Sequence, residues 1–180
     1  MEGYSKLHAS SAEQRAARVR LLVLDVDGVL TDGSLYFGAQ GETIKVFNVR
    51  DGHGIKMLLQ NGIEVAWLSA RSSDIVTARA RELGVARVLQ AKSDKAGAFA
   101  ALLTDAGVGP DETAYIGDDL PDLPAMRAAG FAATVADGCE AAKQAAHWIT
   151  PQCGGRGAVR TLAEFILRSK GIDFDSMTTG

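Results

Sequence analysis

The chain is poor in cysteine. Cys139 and Cys153 are the two among 180 residues, too few for a disulfide framework or a four-ligand zinc site, and reduced bystander thiols are expected. Cationic side chains are not in excess. The formal net charge of -3 argues against a nucleic-acid partner, whose binding needs lysine and arginine to displace counterions. No apolar run approaches the ~20 residues of a membrane helix. The opening MEGYSKLHASSAEQRAARVR lacks the apolar centre of a secretory signal. Its Ala, Arg and Ser content faintly suggests a transit peptide, but Glu2 and Glu13 oppose that, and a short leading helix within Ala12 to Arg20 is expected. Histidine is scarce as well: His8 and His147 have no partners in any motif, and His53, inside RDGHG, is assigned nothing. With 47% hydrophobic residues, the expectation is a soluble, cytoplasmic chain with one well-formed core and no membrane partner.

Apolar runs at 20–25, 63–68, 85–89, 113–117, 131–135 and 147–149 read as strands, continuous enough for burial on both faces. Helical stretches at 52–60, 73–83, 94–106, 121–129, 139–145 and 157–169 lie between them, with Ser73, Asp94 and Asp137 as caps or near-caps. This alternation predicts an α/β fold, a Rossmann-like doubly wound parallel sheet with right-handed crossovers. Residues 34–47, SLYFGAQGETIKVF, break the rhythm as a projecting β-hairpin turning at Ala39-Gln40-Gly41. The expected organisation is a helical extension at 1–18, the domain at 19–170 and a loose tail at 171–180.

The most informative stretch is LLVLDVDGVLTDG at 21–33, where an apolar strand ends in Asp25 and Asp27. If the extended geometry persists, both carboxylates point the same way. Like charges this close call for a cation beside them. Asp25 could then be a nucleophile and Asp27 a proton donor and acceptor, as in phosphoryl transfer through an aspartyl phosphate. The plain alternative is Asp-Gly turn chemistry at a strand end.

Other groups fall on the same rim. Ser69 ends the second core strand, Lys95 follows the third, and Asp118 and Asp119 end the fourth in TAYIGDDLPD. Ligands bind beyond the carboxyl ends of strands in such sheets. Singly, Ser69 reads as a turn or cap, Lys95 as a solvated helix lysine, and Asp118 to Asp122 as a loop favouring a helix dipole. Jointly they match a phosphomonoester site in which carboxylates hold Mg²⁺ while Lys95 and Ser69 hold phosphoryl oxygens.

DVDGVLTDG, the Ser69 strand end, Lys95 and GDDLPD together resemble the four motifs of the haloacid dehalogenase-like hydrolases, over residues 21–122. The resemblance implies Mg²⁺ dependence and a phosphoaspartate intermediate. It makes Asp25 the nucleophile, Asp27 the general acid/base, Ser69 and Lys95 the phosphoryl-stabilising pair, and Asp25, Asp118 and the backbone carbonyl of Asp27 the metal ligands. Asp119 and Asp122 compete for the last acidic role; Asp119 is favoured and Asp122 left open. The spacings Asp27 to Ser69 and Ser69 to Lys95 leave no room for a cap domain, so another surface, most simply a symmetric neighbour, must cover the site.

KVFNVRDGHGIKML (45–58), ARSSDIVTARARELGV (70–85) and CGGRGAVR (153–160) closely resemble the bacterial 3-deoxy-D-manno-octulosonate 8-phosphate phosphatases, over about residues 19–169. That resemblance implies a homotetramer built through the hairpins, a tail reaching a neighbouring site, and substrate contacts at Asp27, Asn48, Val49, Arg50, Asp51, Gly52, Lys56, Arg71, Arg79, Lys95 and Asp119. Arg156 on the glycine-flanked segment is a candidate lid residue, the alternative being an ordinary loop. Arg forks suit a substrate bearing carboxylate and phosphate, whereas Arg81 reads as a solvated helix residue. Ala70 stands where the family has Gly, and Lys56 where relatives have Arg. Three functions follow: phosphatase for the eight-carbon 8-phosphate in lipopolysaccharide precursor synthesis, phosphatase for a nine-carbon 9-phosphate of the sialic-acid type, or a non-catalytic sugar-phosphate-binding oligomerisation module.

Overall fold

The computed structural model describes residues 11–173; His8 and the expected tail from 174 onward lie outside the described residues. Six parallel strands form the sheet: β1 (Leu21–Leu24), β4 (Glu64–Leu68), β5 (Arg87–Leu89), β6 (Thr113–Ile116), β7 (Phe131–Thr134) and β8 (Trp148–Ile149), in the order β5-β4-β1-β6-β7-β8. The chain winds outward from β1 through β4 to β5, then returns to the other side of β1 for β6, β7 and β8. The order therefore reverses between β1 and β6, and that gap is where an open α/β sheet takes its ligand.

Alternation along the strands builds two cores. Leu22, Leu24, Val65, Trp67 and Ile116 face α2 (Val49–Gln60), α3 (Asp74–Leu83) and α7 (Ala158–Ser169), joined by Ala16 of the short α1 (Ala12–Ala16). Leu21, Val23, Ala66, Leu68 and Tyr115 face α4 (Lys95–Ala106), α5 (Leu123–Ala128) and α6 (Glu140–Ala145). All four residues of β1 are buried, which is why the strand reads as a continuous apolar run. Ser11 and Gln14 close a reciprocal capping box on α1.

The hairpin consists of β2 (Tyr36–Gly38) and β3 (Gly41–Ile44), antiparallel and separate from the main sheet. Leu35, Tyr36, Phe37, Ile44 and Val46 on it are exposed. No element inserted between β1 and β4, or between β4 and α4, forms a cap domain. Among the described residues no helix is long and apolar enough to cross a membrane.

One expected cap is displaced. Asp94 caps α4 by accepting from the Gly97 N–H at 2.9 Å, and Ser73 occupies the N-cap of α3 without a side-chain capping bond. Asp137, however, does not cap α6: Cys139 takes that place, and Asp137 Oδ1 accepts from the Gly154 N–H at 2.9 Å. Its carboxylate ties down the glycine-rich segment before α7.

Candidate active site

Asp25 lies one residue beyond β1, where its backbone N–H still bonds Ile116 O at 3.0 Å. Only 5% of it is exposed. Its Oδ1 accepts from Lys95 Nζ at 2.7 Å, and the same ammonium bonds Asp122 Oδ1 at 2.6 Å. Lys95, the first residue of α4, is aimed inward by its position at the start of the helix and is itself buried. Burial works to lower its pKa, but the Asp25 and Asp122 charges outweigh it and the pKa rises.

Of the two carboxylates competing for the last acidic role, Asp122 is the one the fold brings into the buried cluster. It is 1% exposed, and besides Lys95 its carboxylate accepts from Tyr115 Oη at 2.7 Å and from the N–H groups of Asp118 and Asp119 at 3.2 and 3.3 Å. Asp119 faces solvent and accepts from Leu120 N at 2.8 Å, capping the 3₁₀ turn Leu120–Asp122. That turn brings Asp122 back under β6, whereas Asp119, expected to support the site, is left outside the cluster.

Carboxylate oxygens of Asp25, Asp118 and Asp122 lie within 4.8 Å of one another. Asp118 presses on the turn after β1: a Cβ at Gly28 would sit 2.1 Å from Asp118 Oδ2, and Gly28 has φ +96°. Both facts demand glycine there. Burial, with repulsion from Asp122, raises the Asp25 pKa well above the usual carboxyl value, and the same causes push Asp118 up to about 6. Lys95 neutralises one charge of this cluster. The remaining hard oxygen donors, crowded and reluctant to ionise, fit a divalent cation.

Asp27 departs from the expected geometry. The strand stops at Leu24, and a turn follows in which Val26 O receives the N–H groups of Leu30 and Thr31 at 3.0 and 3.1 Å. The two-residue alternation is therefore lost, and the two carboxylates take different partners. Asp27 is half-buried, bonds Lys45 through Oδ1, and lies 3.9 Å from Arg71 Nε through Oδ2. It does not join the three-carboxylate group. The sequence leaves Asp122 open, its four-residue offset from Asp118 being the one signal available, and gives no sign of Lys45.

Ser69 is buried at the end of β4 and its Oγ accepts from the Arg71 N–H at 3.1 Å. Arg71 reaches Glu42 at 3.4 Å and sits over the Phe37 ring, 5.7 Å from its centroid. Other expected substrate residues have structural bonds of their own. Asn48 caps α2 through the Arg50 N–H at 2.8 Å. Asp51 is buried, and its two oxygens accept from the N–H groups of Gly157 and Arg160 at 3.1 and 2.8 Å, so its carboxylate anchors the start of α7. Val49, Gly52, Lys56 and Arg79 line a separate cleft of about 160 Å³ together with His53 and Glu82. Arg79 pairs with Glu82 at 2.7 Å and lies 6.0 Å from the Phe47 ring centroid. Arg50, Arg156 and Arg160 border another hollow of about 370 Å³. Arg81 is exposed.

A haloacid dehalogenase-like hydrolase family model matches residues 65–160. The chain belongs to the haloacid dehalogenase-like hydrolases. Among relatives in this family, the 3-deoxy-D-manno-octulosonate 8-phosphate phosphatase of Yersinia pestis is 45% identical over 159 residues, 88% of this chain and 85% of that protein. The crystal structure of the Moraxella catarrhalis phosphatase of that name, in complex with magnesium ion, phosphate ion and a KDO molecule, superposes with a TM-score of 0.89 at 42% identity, covering 92% of this chain and 95% of that one. The cobalt-bound Haemophilus influenzae phosphatase superposes with a TM-score of 0.88 at 42% identity, covering 92% of this chain and 96% of that one. The capless Rossmann-like architecture is thus shared with haloacid dehalogenase-like phosphatases.

Proposed function

We propose that the chain is a Mg²⁺-dependent phosphatase that hydrolyses 3-deoxy-D-manno-octulosonate 8-phosphate to the free sugar acid and phosphate, in lipopolysaccharide precursor synthesis. The observation that carries this reading is the buried Asp25, bonded to Lys95 and set beside Asp118 at the point where strand order reverses. The names of the close relatives supply the substrate, and the magnesium in the Moraxella protein supports the cofactor. Asp25, Asp118 and the backbone carbonyl of Asp27 would hold the ion. When bound, it neutralises carboxylate and phosphate charge so that an anionic nucleophile can approach an anionic ester.

Asp25 attacks phosphorus and the alkoxide oxygen leaves, giving an aspartyl phosphate. Asp27 donates the proton that oxygen needs, then takes one from the water that cleaves the acyl phosphate. Lys95, fixed by Asp122, and the Ser69 hydroxyl stabilise the phosphoryl oxygens. Arg71 supplies a planar fork to the sugar-acid portion, and Arg156 approaches from a neighbouring subunit of a homotetramer formed through the exposed hairpins. The remaining proposed contacts come from the 48–52 backbone, Lys56 and Arg79, with Asp119 at the solvent edge.

Phosphate release from a panel of eight- and nine-carbon sugar-acid phosphates tests the reading. Preference for the eight-carbon 8-phosphate is expected. Preference for a nine-carbon 9-phosphate would replace the substrate, and absence of turnover on every member would favour a binding module.

A further inference from the structure

Asp27 sits in a turn, not a strand, so no ladder of backbone bonds aims its side chain. What does so is on the hairpin. Lys45, just after β3, bonds Asp27 Oδ1 and also Glu42 Oε1, the latter at 2.9 Å, with 1% of its side chain exposed. Its surroundings make that burial unusual, since the neighbouring Ile44 and Val46 are 54% and 55% exposed. Burying an ammonium costs desolvation and rotamer freedom and is sustained by close carboxylates. Glu42 in turn meets Arg71 Nη2 at 3.4 Å, and Arg71 Nε lies 3.9 Å from Asp27 Oδ2. Two anions and two cations therefore alternate around a closed ring with Asp27 as one member. Burial alone would raise the Glu42 pKa, but bonds from Lys45 and Ser73 and the Arg71 charge hold it below the usual carboxyl value.

We propose that Lys45, backed by Glu42, is a positioning residue for the acid/base carboxylate of Asp27. The hairpin then does more than bury apolar surface against neighbours: its base sets the orientation of a side chain in the reaction. Lys45 touches neither Asp25 nor Lys95 in the bonds and ion pairs above, so its effect passes through Asp27 and not through the nucleophile. This inference rests on the reading of Asp27 as the acid/base.

The test uses the full chain with Mg²⁺ and compares an alkyl ester, the sugar-acid phosphate, with p-nitrophenyl phosphate, whose leaving group needs no proton. Lys45→Met should lower kcat on the alkyl ester by roughly 10–100-fold, the cost of misplacing a reacting group, while KM moves little. On p-nitrophenyl phosphate the loss should stay within about threefold, since that step does not call on the acid. Lys45→Arg should restore most of the alkyl-ester rate. Adding Lys45→Met to Asp27→Asn should cost less than about twofold more, because the two act as a unit. Glu42→Gln, which leaves the ammonium in place, should show the same substrate pattern more weakly. If Lys45→Met fails to fold or assemble, Glu42→Gln alone decides, and a wild-type ratio of the two kcat values there overturns the proposal. Equal losses on both substrates, a raised KM with kcat intact, or a full additional loss in the Asp27→Asn background would also overturn it. Should Asp27→Asn itself slow both substrates equally, the acid/base reading fails; should Asp27→Asn discriminate and Lys45→Met not, the positioning role alone fails.

Discussion

The centre and the rim of this site are built by different means. At the centre, Asp25, Lys95 and Asp122 are each at most 5% exposed, and each is held by bonds from the end of a strand or the start of a helix. Around the rim, Arg71, Asp27 and Glu42 are half-buried, while Phe37, Lys56 and Arg156 are exposed, carried on the hairpin, on helices and on a glycine-rich segment. A buried charge that loses its partner is left uncompensated, so the centre tolerates no change without loss of chemistry, stability or both. Rim residues keep access to water and can change at little structural cost. On the proposed reading the centre carries the attack on phosphorus, while the rim supplies the acid/base and the contacts that select the ester.

The largest effect should come from Asp25→Asn. It removes the attacking oxygen's charge while keeping volume, and it relieves repulsion from Asp122 and Asp118, the groups that together with burial raise Asp25. Phosphate release should fall by several orders of magnitude, with the thermal midpoint kept or raised. Near-wild-type turnover would place the nucleophile elsewhere and erase the distinction between centre and rim.

Asp27→Asn comes next, with an expected loss of roughly 10²–10⁴-fold on the sugar phosphate, the usual contribution of a positioned proton donor. On p-nitrophenyl phosphate the loss should be much smaller. Parallel steady-state measurements on both substrates check this, and equal losses would move Asp27 out of the proton-transfer role.

Why the centre was more legible in the sequence than the rim follows from the same contrast. Buried parallel strands must be apolar along their whole length, so β1, β4, β6 and β7 stand out, and Asp25, Ser69 and Asp118 are marked by ending them. Lys95 is marked by following β5. Asp122 stays open beside Asp119 in the sequence because it enters the cluster through a 3₁₀ turn, where neither the strand nor the helix period applies. Asp27 was placed beside Asp25 by a period-two alternation that the chain abandons after Leu24. Lys45 was hidden in a hairpin whose apolar residues point to assembly, and nothing in GETIKVF announces a buried ammonium. The resemblance implies substrate contacts at Asp51 and Asn48, and what no pattern announces is that their side chains also bond the backbone of α7 and of α2.

The two regions should also answer pH with opposite signs. Asp118 rises from 3.8 to about 6, and Asp25 rises too, chiefly by burial. A carboxyl that holds its proton more tightly when folded stabilises the fold at low pH. That contribution is lost as pH climbs through the window between the unfolded and folded values. On the rim, Asp32 is held low by a backbone and a side-chain bond from Ser34, and Glu42 by the partners that outweigh its burial. Their contributions are present above the unfolded values and fade as pH falls. Metal-free protein should therefore lose about 1–2 kcal/mol at the centre on going from pH 4 to 6, a figure discounted for the solvent that reaches Asp118. Mg²⁺ should offset that loss, so the gain in thermal midpoint on adding it should be larger near pH 7.5 than near pH 5. A gain independent of pH would mean that the ion does not sit on these carboxylates, and full turnover in excess chelator, with metal absence verified, would remove it from the reaction.

The smallest effect is expected at Arg156. Its segment is anchored on the turn after β1: the Gly155 N–H bonds Val29 O at 2.9 Å, and a Cβ at Gly154 would lie 1.8 Å from Gly28 O. The arginine itself is exposed over 69% of its side chain, and its pair with Asp32 at 3.2 Å is a surface ion pair of about 0–1 kcal/mol. A fixed backbone carrying a weakly held guanidinium suits an arm that exchanges Asp32 for a phosphate at little cost. Arg156→Ala should lower kcat/KM for the sugar phosphate by about 3–10-fold, less than a buried charge-assisted bond is worth, and should leave small generic esters nearly unchanged. Sedimentation should show the same assembly as the wild type. Mixing Arg156→Ala with Asp25→Asn subunits then separates the two geometries. If the arm serves a neighbour, mixed assemblies place an intact Arg156 beside an intact Asp25 and recover the lost factor. If it serves its own chain, mixing recovers nothing, and the neighbour's part in the site falls to the hairpin alone.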